Sequence, residues 1–430
     1  MKGAVLALLL AAAPLAAQGP QAFKLPTGLD CVLVENHERP LIRMELVCRW
    51  DRSELPAGKE GIGGFLAQVM AAGGAGPNTR PTFLHALDGL GMRFSFRPQL
   101  GCYRWTLAAD SRSQEAAMEL LADAVVRPVF DGPLVEAERQ AALKRTQARS
   151  QRDRAQARFL WHLGDPDSFV PPGPTPLERI EYQDLLDFRR RVIRPEGSTL
   201  VMYGDLNLTQ AKQLVFMHLG IWGPGGQAPV KGAPPKANVK AVPEPRLLAV
   251  LEPSPGAEIW AGAPCPADPG GPAVRALLPT LLVRAARSFF GSFAMTFQLS
   301  ADPQAPLLIK GRVPQADRDN LVSGFKAGLD GLRTSGFSAD DLASALVKWK
   351  AENNALALHP EAMVRALIDG RLDPDLDQAV ERVTLKEVDQ ALREWLDPER
   401  VRFLLLGADA PMIQAAEKAG LGPSALMGNE

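Results

Sequence analysis

The feature that most restricts what this chain can fold into is a repeat. Glu178-Arg179-Ile180 opens a helix-like segment that runs to Arg194-Pro195-Glu196, enters an apolar strand at Thr199–Tyr203 and stops at Gly204. Glu381-Arg382-Val383 opens a second segment of the same kind, which runs to Asp397-Pro398-Glu399, a strand at Val401–Leu406 and Gly407. Glu178, Arg179, Pro195, Glu196 and Gly204 each recur 203 positions later (381 − 178 = 203) without a gap. Chance does not readily keep a helix, a Pro-Glu break, an apolar strand and a glycine in one register. Further upstream, Phe130-Asp131 precedes a helix-like run from Leu134, and Phe337-Ser338-Ala339-Asp340 precedes one from Leu342. Both places offer a short polar side chain to cap the free N–H groups of a helix start. The spacing there is 207 (337 − 130), so loop lengths differ slightly between the copies. The chain reads as two halves built on one plan.

Between the copies, Gly223–Arg246 is rich in Pro, Gly, Ala and Lys and reads as a linker. The expected organisation is an N-terminal half at 18–222, a linker at 223–246 and a C-terminal half at 247–430. Residues 1–17 read as a signal peptide: Lys2, an apolar run from Ala4 to Leu15, then Ala16, Ala17 and the polar Gln18. That run is too short to span a bilayer and ends in small residues, so cleavage is expected after Ala17 and the chain in the periplasm or outside the cell. No Cys stands at the cleavage point, which argues against a lipoprotein, and no later apolar run is long enough to span a membrane.

A chain of 430 residues exceeds one ordinary core, and 46% hydrophobic with 23% charged residues is a globular balance. The net charge of −1 gives no electrostatic ground for binding nucleic acid or an anionic membrane. Arg and Lys are dense over Arg139–Arg158, but acidic residues are interspersed there, as on a solvated helix face. Of the four cysteines, Cys31 and Cys48 lie on two runs that read as a hairpin and could pair, while Cys265 is expected to be free. Four small buried hydrophobes is an equal reading, and the lack of any CxxC leaves a thiolate metal site unsupported.

Within the first half, Phe23–Glu35 and Leu41–Asp51 are strand-like around the turn Asn36–Pro40. Ile62–Ala72 has helical periodicity, Thr82–Leu90 is a short helix ending at Gly91, and Gly73-Gly74-Ala75-Gly76 reads as a C-cap and loop. Met92–Pro98 and Cys102–Ala108 alternate like half-buried strands. Gln114–Val126 is amphipathic, with Ala117, Leu120, Leu121, Ala124 and Val125 on one face. Asp110, Asp123 and Asp131 are expected to cap helix ends. Strands followed by helices packed on one side describe an α+β layer in each half.

Several of these segments, in this order, resemble the pitrilysin/insulinase metallopeptidase family. Leu25-Pro26-Thr27-Gly28-Leu29 and the polar turn before Pro40 resemble its opening. Gly61-Ile62-Gly63-Gly64-Phe65-Leu66 resembles the segment that carries its zinc motif. Glu119–Asp123 followed by Arg127-Pro128-Val129-Phe130 is similar to the helix and loop before its third metal ligand, and Gly204-Asp205 with Gly220-Ile221-Trp222 resembles the end of its first half. The resemblance covers the first half well and the second mainly through the repeat. It implies two α/β-roll halves of the mitochondrial-processing-peptidase type, each an antiparallel-rich sheet with helices on one face.

The family's chemistry rests on H-x-x-E-H, in which two His on one helical face bind zinc and the Glu activates the metal-bound water. A Glu some 75 to 80 residues further on completes that site. Here the matching helix reads Gly64-Phe65-Leu66-Ala67-Gln68, so Gly64 stands for the first His, Ala67 for the general base and Gln68 for the second His. The distal ligand falls at Lys144 or Arg145, both cations that repel zinc. His37, His85, His162, His218 and His359 are the only histidines, and no two lie within five residues, so no frame shift restores a pair. No zinc or other cofactor is expected. No G-x-S-x-G elbow, Walker loop or strand-following G-x-G-x-x-G occurs, and no Ser and His are spaced as in a triad, a weak test because triads are spatial.

In the family, zinc-free halves or chains pair with active ones and close a chamber around peptides, holding them through an Arg and a Tyr in the second half. The matching stretch here is Phe290-Gly291-Ser292-Phe293-Ala294, which lacks that Tyr and has Phe290 for the Arg, leaving Arg284 or Arg287 to reach. Peptides are also held along a sheet edge through main-chain hydrogen bonds. The matching edge is Met92–Arg97, with Arg93, Ser95 and Arg97 facing one way and Phe94 and Phe96 the other. That pattern fits a cationic peptide-binding edge, and it fits, as the preferred reading, a half-buried strand with Phe inward and Arg in water. The expected function is a non-catalytic exported subunit that pairs with a homologue carrying intact H-x-x-E-H and encloses unfolded peptides. A stand-alone peptide-binding or scaffold protein is the alternative, and an active zinc endopeptidase the weakest reading.

Overall fold

The computed structural model describes residues 19–99, 101–164, 175–223, 245–252, 256–266, 270–299, 305–313, 315–356, 359–368 and 374–427. The expected signal peptide and almost all of the expected linker lie outside the described residues.

In chain order the first half comprises β1 (Gln21–Lys24), β2 (Asp30–Glu35), β3 (Leu41–Arg49), α1 (Ile62–Ala72), β4 (Gly74–Ala75), α2 (Arg80–Gly89), β5 (Arg93–Gln99), β6 (Cys102–Asp110), α3 (Gln114–Val126), β7 (Pro128–Val129), α4 (Gly132–Gln147), α5 (Gln151–Leu163), α6 (Thr175–Glu178), α7 (Tyr182–Val192), β8 (Ser198–Gly204) and α8 (Leu208–Leu219), with β4 and β7 paired as a small ribbon of their own. The second set comprises β9 (Leu247–Leu251), β10 (Glu258–Ala263), α9 (Gly271–Phe290), β11 (Ala294–Leu299), β12 (Leu307–Arg312), α10 (Leu321–Ser335), α11 (Ala339–Leu356), α12 (Pro360–Ile368), α13 (Pro374–Glu381), α14 (Leu385–Trp395), β13 (Arg402–Ala408), α15 (Ala410–Lys418) and β14 (Ser424–Leu426).

Local chemistry accounts for where the helices begin. Thr79 caps α2 by accepting from the Thr82 N–H, and Asp131 caps α4 through the Leu134 N–H. The repeat extends to these caps. Glu181 and Asp184 form a reciprocal capping box at α7, and Thr384 and Glu387 form one at α14, again 203 residues on (384 − 181). Asp110 and Asp131 cap as expected, but Asp123 does not. It lies inside α3, is 1% exposed, and pairs with Arg127 one turn later.

The strand order is β1-β2-β8-β3-β6-β5 in the first sheet and β14-β9-β13-β10-β12-β11 in the second. Five positions correspond. The sixth is filled by the antiparallel β1 in one half and by the parallel β14 in the other. Where the first half has α1, β4 and α2, the second has the single helix α9, with Pro279 inside it. The stretch expected as one strand at Phe23–Glu35 is two, β1 and β2, joined through Gly28. Gly28 has φ +98°, and a Cβ there would come within 2.9 Å of the Glu196 Cγ, so the turn needs glycine twice over.

Mixed α/β halves with open sheets are therefore the architecture, with each half's own helices on one face of its sheet. That face of the first sheet buries Leu33, Met44, Leu46, Trp105 and Leu107 against α1, α3 and α7, and the second buries Ile259, Ile309 and Leu405 against α9, α10 and α14. The opposite faces are covered by exchange. α5 of the first half lays Ala155, Phe159 and Leu163 on Leu248, Val250, Trp260, Leu308, Leu404 and Leu406 of the second sheet. In return α12 of the second half lays Val364 and Ile368 on Val47 and Val201 of the first. Gly262 on β10 makes room for this: a Cβ there would lie 2.1 Å from a Leu163 methyl. Each outer face also holds a glutamate among arginines. Glu45 is 3% exposed and pairs with Arg104 (2.8 Å), and Glu258 pairs with Arg152 of α5 (2.8 Å).

The expected Cys31–Cys48 neighbourhood is corrected by the sheet order. β8 runs between β2 and β3, with Leu200 beside both Cys31 and Leu46. Two strand spacings and an offset of two residues put the cysteines more than about 10 Å apart, beyond disulfide reach, and none of the four cysteines is in a disulfide. Among the described residues, no helix is long and apolar enough to cross a membrane.

Candidate functional site

α1 is buried over nearly its whole length because it lies beneath α4 and α7 on the sheet's helix face. Ile62 to Ala67 and Val69 are buried, and Gln68 alone among Ile62–Met70 is half-exposed. The Tyr103 hydroxyl, rising from β6, donates to the Gly63 carbonyl at 2.8 Å and fixes the start of the helix against the sheet. Gly64 and Ala67 are thus enclosed positions with no donor atom, and Gln68 is the one polar side chain that α1 turns toward α4.

The side chain meeting Gln68 is Arg145, whose Nη2 donates to the Gln68 Oε1 at 3.1 Å. Arg145 also faces Glu138 at 3.8 Å; its side chain is 57% exposed, and Lys144 is exposed as well but makes no contact with α1. Of the two distal candidates, only Arg145 approaches the α1 position. Beneath this contact lies a cavity of about 220 Å³ lined by Gly61, Phe65, Gln68, Ala142, Arg145, Thr146, Arg149 and Leu177. Its floor is held by Arg139, whose guanidinium lies 5.2 Å from the Phe65 ring centroid and donates to the Leu177 and Ile180 carbonyls. The donor set offered to a metal is one neutral amide oxygen beside a permanent cation. Among the described residues no three His, Cys, Asp or Glu side chains cluster closely enough to hold an ion. These residues do not fit zinc.

The other expected residues fall in separate places. β5 is the first sheet's edge strand, with Arg93, Ser95 and Arg97 exposed and Phe94 and Phe96 turned to the core. Phe94 meets Phe83 edge-on at 5.3 Å, and Phe96 stacks on Trp105 at 4.9 Å. A cavity of about 150 Å³ opens beside this edge, between Ser95, Phe96, Met70 and Gly74. In the second half, Phe290 is a core residue at 3% exposure. Arg284 is 3.5 Å from Asp341, whose carboxylate accepts from the Ser338 N–H and hydroxyl at the start of α11, so its charge is engaged within the second half; Arg287 lies exposed on α9. The arginines of α9 and those of β5 belong to different halves.

One cluster had no signal in sequence spacing. His37, Ser111 and Asp205 meet at the end of the first sheet, with His37 Nδ1 2.7 Å from Asp205 Oδ1 and the Ser111 hydroxyl donating to Oδ2 at 2.8 Å. The Asp205 hydrogen bond holds the His37 pKa above its ordinary value, and His37 in turn holds that of Asp205 down. The serine donates to the carboxylate, not to the imidazole, so the nucleophile–base contact of a triad is missing. A turn clamp describes the geometry.

No family model matches the sequence, and no curated protein matches it. Solved structures do match. A protease from Helicobacter pylori shares 14% identity over 90% of this chain and 99% of that one, with a TM-score of 0.68. A peptidase M16 inactive domain from Pseudomonas fluorescens shares 16% over 90% and 98%, with a TM-score of 0.70. The periplasmic protease PqqL from Escherichia coli shares 14% over 95% of this chain and 51% of its own, with a TM-score of 0.67. At such identity the likeness establishes the fold, which is that of M16 peptidases.

Proposed function

We propose that this chain is a non-catalytic subunit of a pitrilysin/insulinase-type peptidase system, exported and paired with a homologue carrying intact H-x-x-E-H, with which it encloses peptides. The observation that carries this reading is the Gln68–Arg145 contact. The helix that would bear the metal ligands and the helix that would bear the distal one pack together, but their facing side chains are an amide and a guanidinium. Gly64 and Ala67 supply no ligand and no base. No catalytic step and no cofactor is assigned to the chain. The M16 inactive domain and the periplasmic PqqL, half as covered by this chain, support the role and the compartment.

A second reading, a stand-alone peptide-binding or scaffold protein, is favoured by the exchange of α5 and α12. The two halves already cover each other's outer faces within one chain. The discriminating experiment is cross-linking in native cells followed by gentle co-purification. The pairing reading expects a co-purified chain with intact H-x-x-E-H, and peptide cleavage by the mixture that exceeds that of the partner alone. Recovery of only a monodisperse monomer would favour the stand-alone reading. Stoichiometric zinc with chelator-sensitive turnover by the pure chain would overturn both.

A further inference from the structure

We propose that the cavity between α1 and α4 is a carboxylate-binding site, the reverse in charge of the cation site its position implies. The cavity holds two guanidinium side chains, Arg145 and Arg149, four residues apart where α4 ends. Arg145 is partly balanced by Glu138 at 3.8 Å. Arg149 is half-buried and has no acidic partner among the described residues. Gln68 accepts from Arg145 through its oxygen, which fixes that guanidinium and leaves the amide N–H groups of Gln68 to donate.

An anion is what such a lining recognises. Guanidinium groups bind carboxylates through paired, charge-assisted hydrogen bonds, which are shorter and stronger than neutral ones. The remaining walls are apolar or self-satisfied: Phe65, Ala142 and Leu177 carry no polar side chain, and the Thr146 hydroxyl already donates to the Ala142 carbonyl at 3.0 Å. A volume of about 220 Å³ admits a carboxylate with a few carbons and excludes a folded partner. The ligand class is a peptide carboxylate, either the C-terminal group or an Asp or Glu side chain. The inference goes beyond the proposed pairing, because it concerns the isolated chain and stands or falls without a partner.

The experiment is calorimetry on the purified full chain with three synthetic decapeptides at low ionic strength. One has a free C-terminus and no acidic side chain, the second is its C-terminal amide, and the third is the amide with one internal Glu. The first or third peptide is expected to bind and the second to bind at least tenfold more weakly. Which of the two binds identifies the source of the carboxylate. Arg149→Gln is expected to weaken binding roughly tenfold, in line with the loss of a charged hydrogen bond. The exposed Lys144→Gln, outside the cavity, is expected to leave it unchanged. Equal binding of all three peptides, no binding by any, or no effect of Arg149→Gln in a variant with unchanged thermal stability overturns the proposal. A failed partner capture with intact carboxylate binding would count against the pairing alone.

Discussion

Truncating Phe159 to Ala tests the seam between the halves. Phe159 leaves α5 and enters the outer face of the second sheet, where it is 5% exposed and meets Trp260 edge-on at 6.2 Å. A buried phenylalanine removes about 200 Å² from water, which at about 25 cal/mol/Å² sets an upper figure of about 5 kcal/mol. Buried Phe→Ala changes cost about 3–5 kcal/mol once the cavity is included. The sheet beneath is rigid and α5 is tied by Leu163 and by the Arg152–Glu258 pair, so collapse into the space is limited and the upper part of that range is expected. Both inner cores lie outside the seam, and neither should unfold directly. The expected result is a urea transition that splits in two, with hydrogen exchange accelerated along α5, β9, β10 and β13. Phe159→Leu, which keeps apolar volume, should cost less than half as much. A loss under about 1 kcal/mol, the scale of an ordinary surface change, with unchanged exchange in β10, would show that this seam does not couple the halves.

Three other outcomes are expected. Gly262→Ala places a methyl against Leu163 and Phe159 and should destabilise the same seam by about 1–3 kcal/mol, read as a lower urea midpoint, because both side chains must shift. Burial pushes the thiols of Cys31 and Cys48 up to about 12, so both should resist alkylation at pH 8 and react only after denaturation; rapid labelling of Cys48 in the folded chain would contradict its enclosure. The pKa of His37 is raised in the folded state, so its contribution to stability is fully present below its unfolded value of about 6.5 and fades as pH rises through the folded value. Its side chain is 42% exposed, so screening keeps the effect below about 1 kcal/mol, and His37→Gln should flatten the pH 5.5–8 dependence of the urea midpoint.

The sequence by itself determined the local and repeated features. The Pro-Glu breaks before β8 and β13 and the bounds of α1 and α3 follow from neighbours along the chain, because a break or an amphipathic face is a matter of a few residues. The helix starts expected at Glu178 and Glu381 are corrected: those residues end α6 and α13, and α7 and α14 begin behind the capping boxes at Glu181 and Thr384. It also showed which residue types stand at 64, 67 and 68. Only the tertiary structure decided which segments meet. β8 returns from about 150 residues away to lie between β2 and β3, and that insertion separates Cys31 from Cys48. A strand carries its alternation in its sequence but not the identity of its neighbour, since ladder hydrogen bonds are made by the backbone and are the same for every residue. For the same reason, spacing left Lys144 and Arg145 equivalent; both are exposed in the fold, but helix packing gave only Arg145 a contact with Gln68. The exchange of α5 and α12 was equally hidden, because an apolar helix face announces that it will be buried and says nothing of which sheet will bury it.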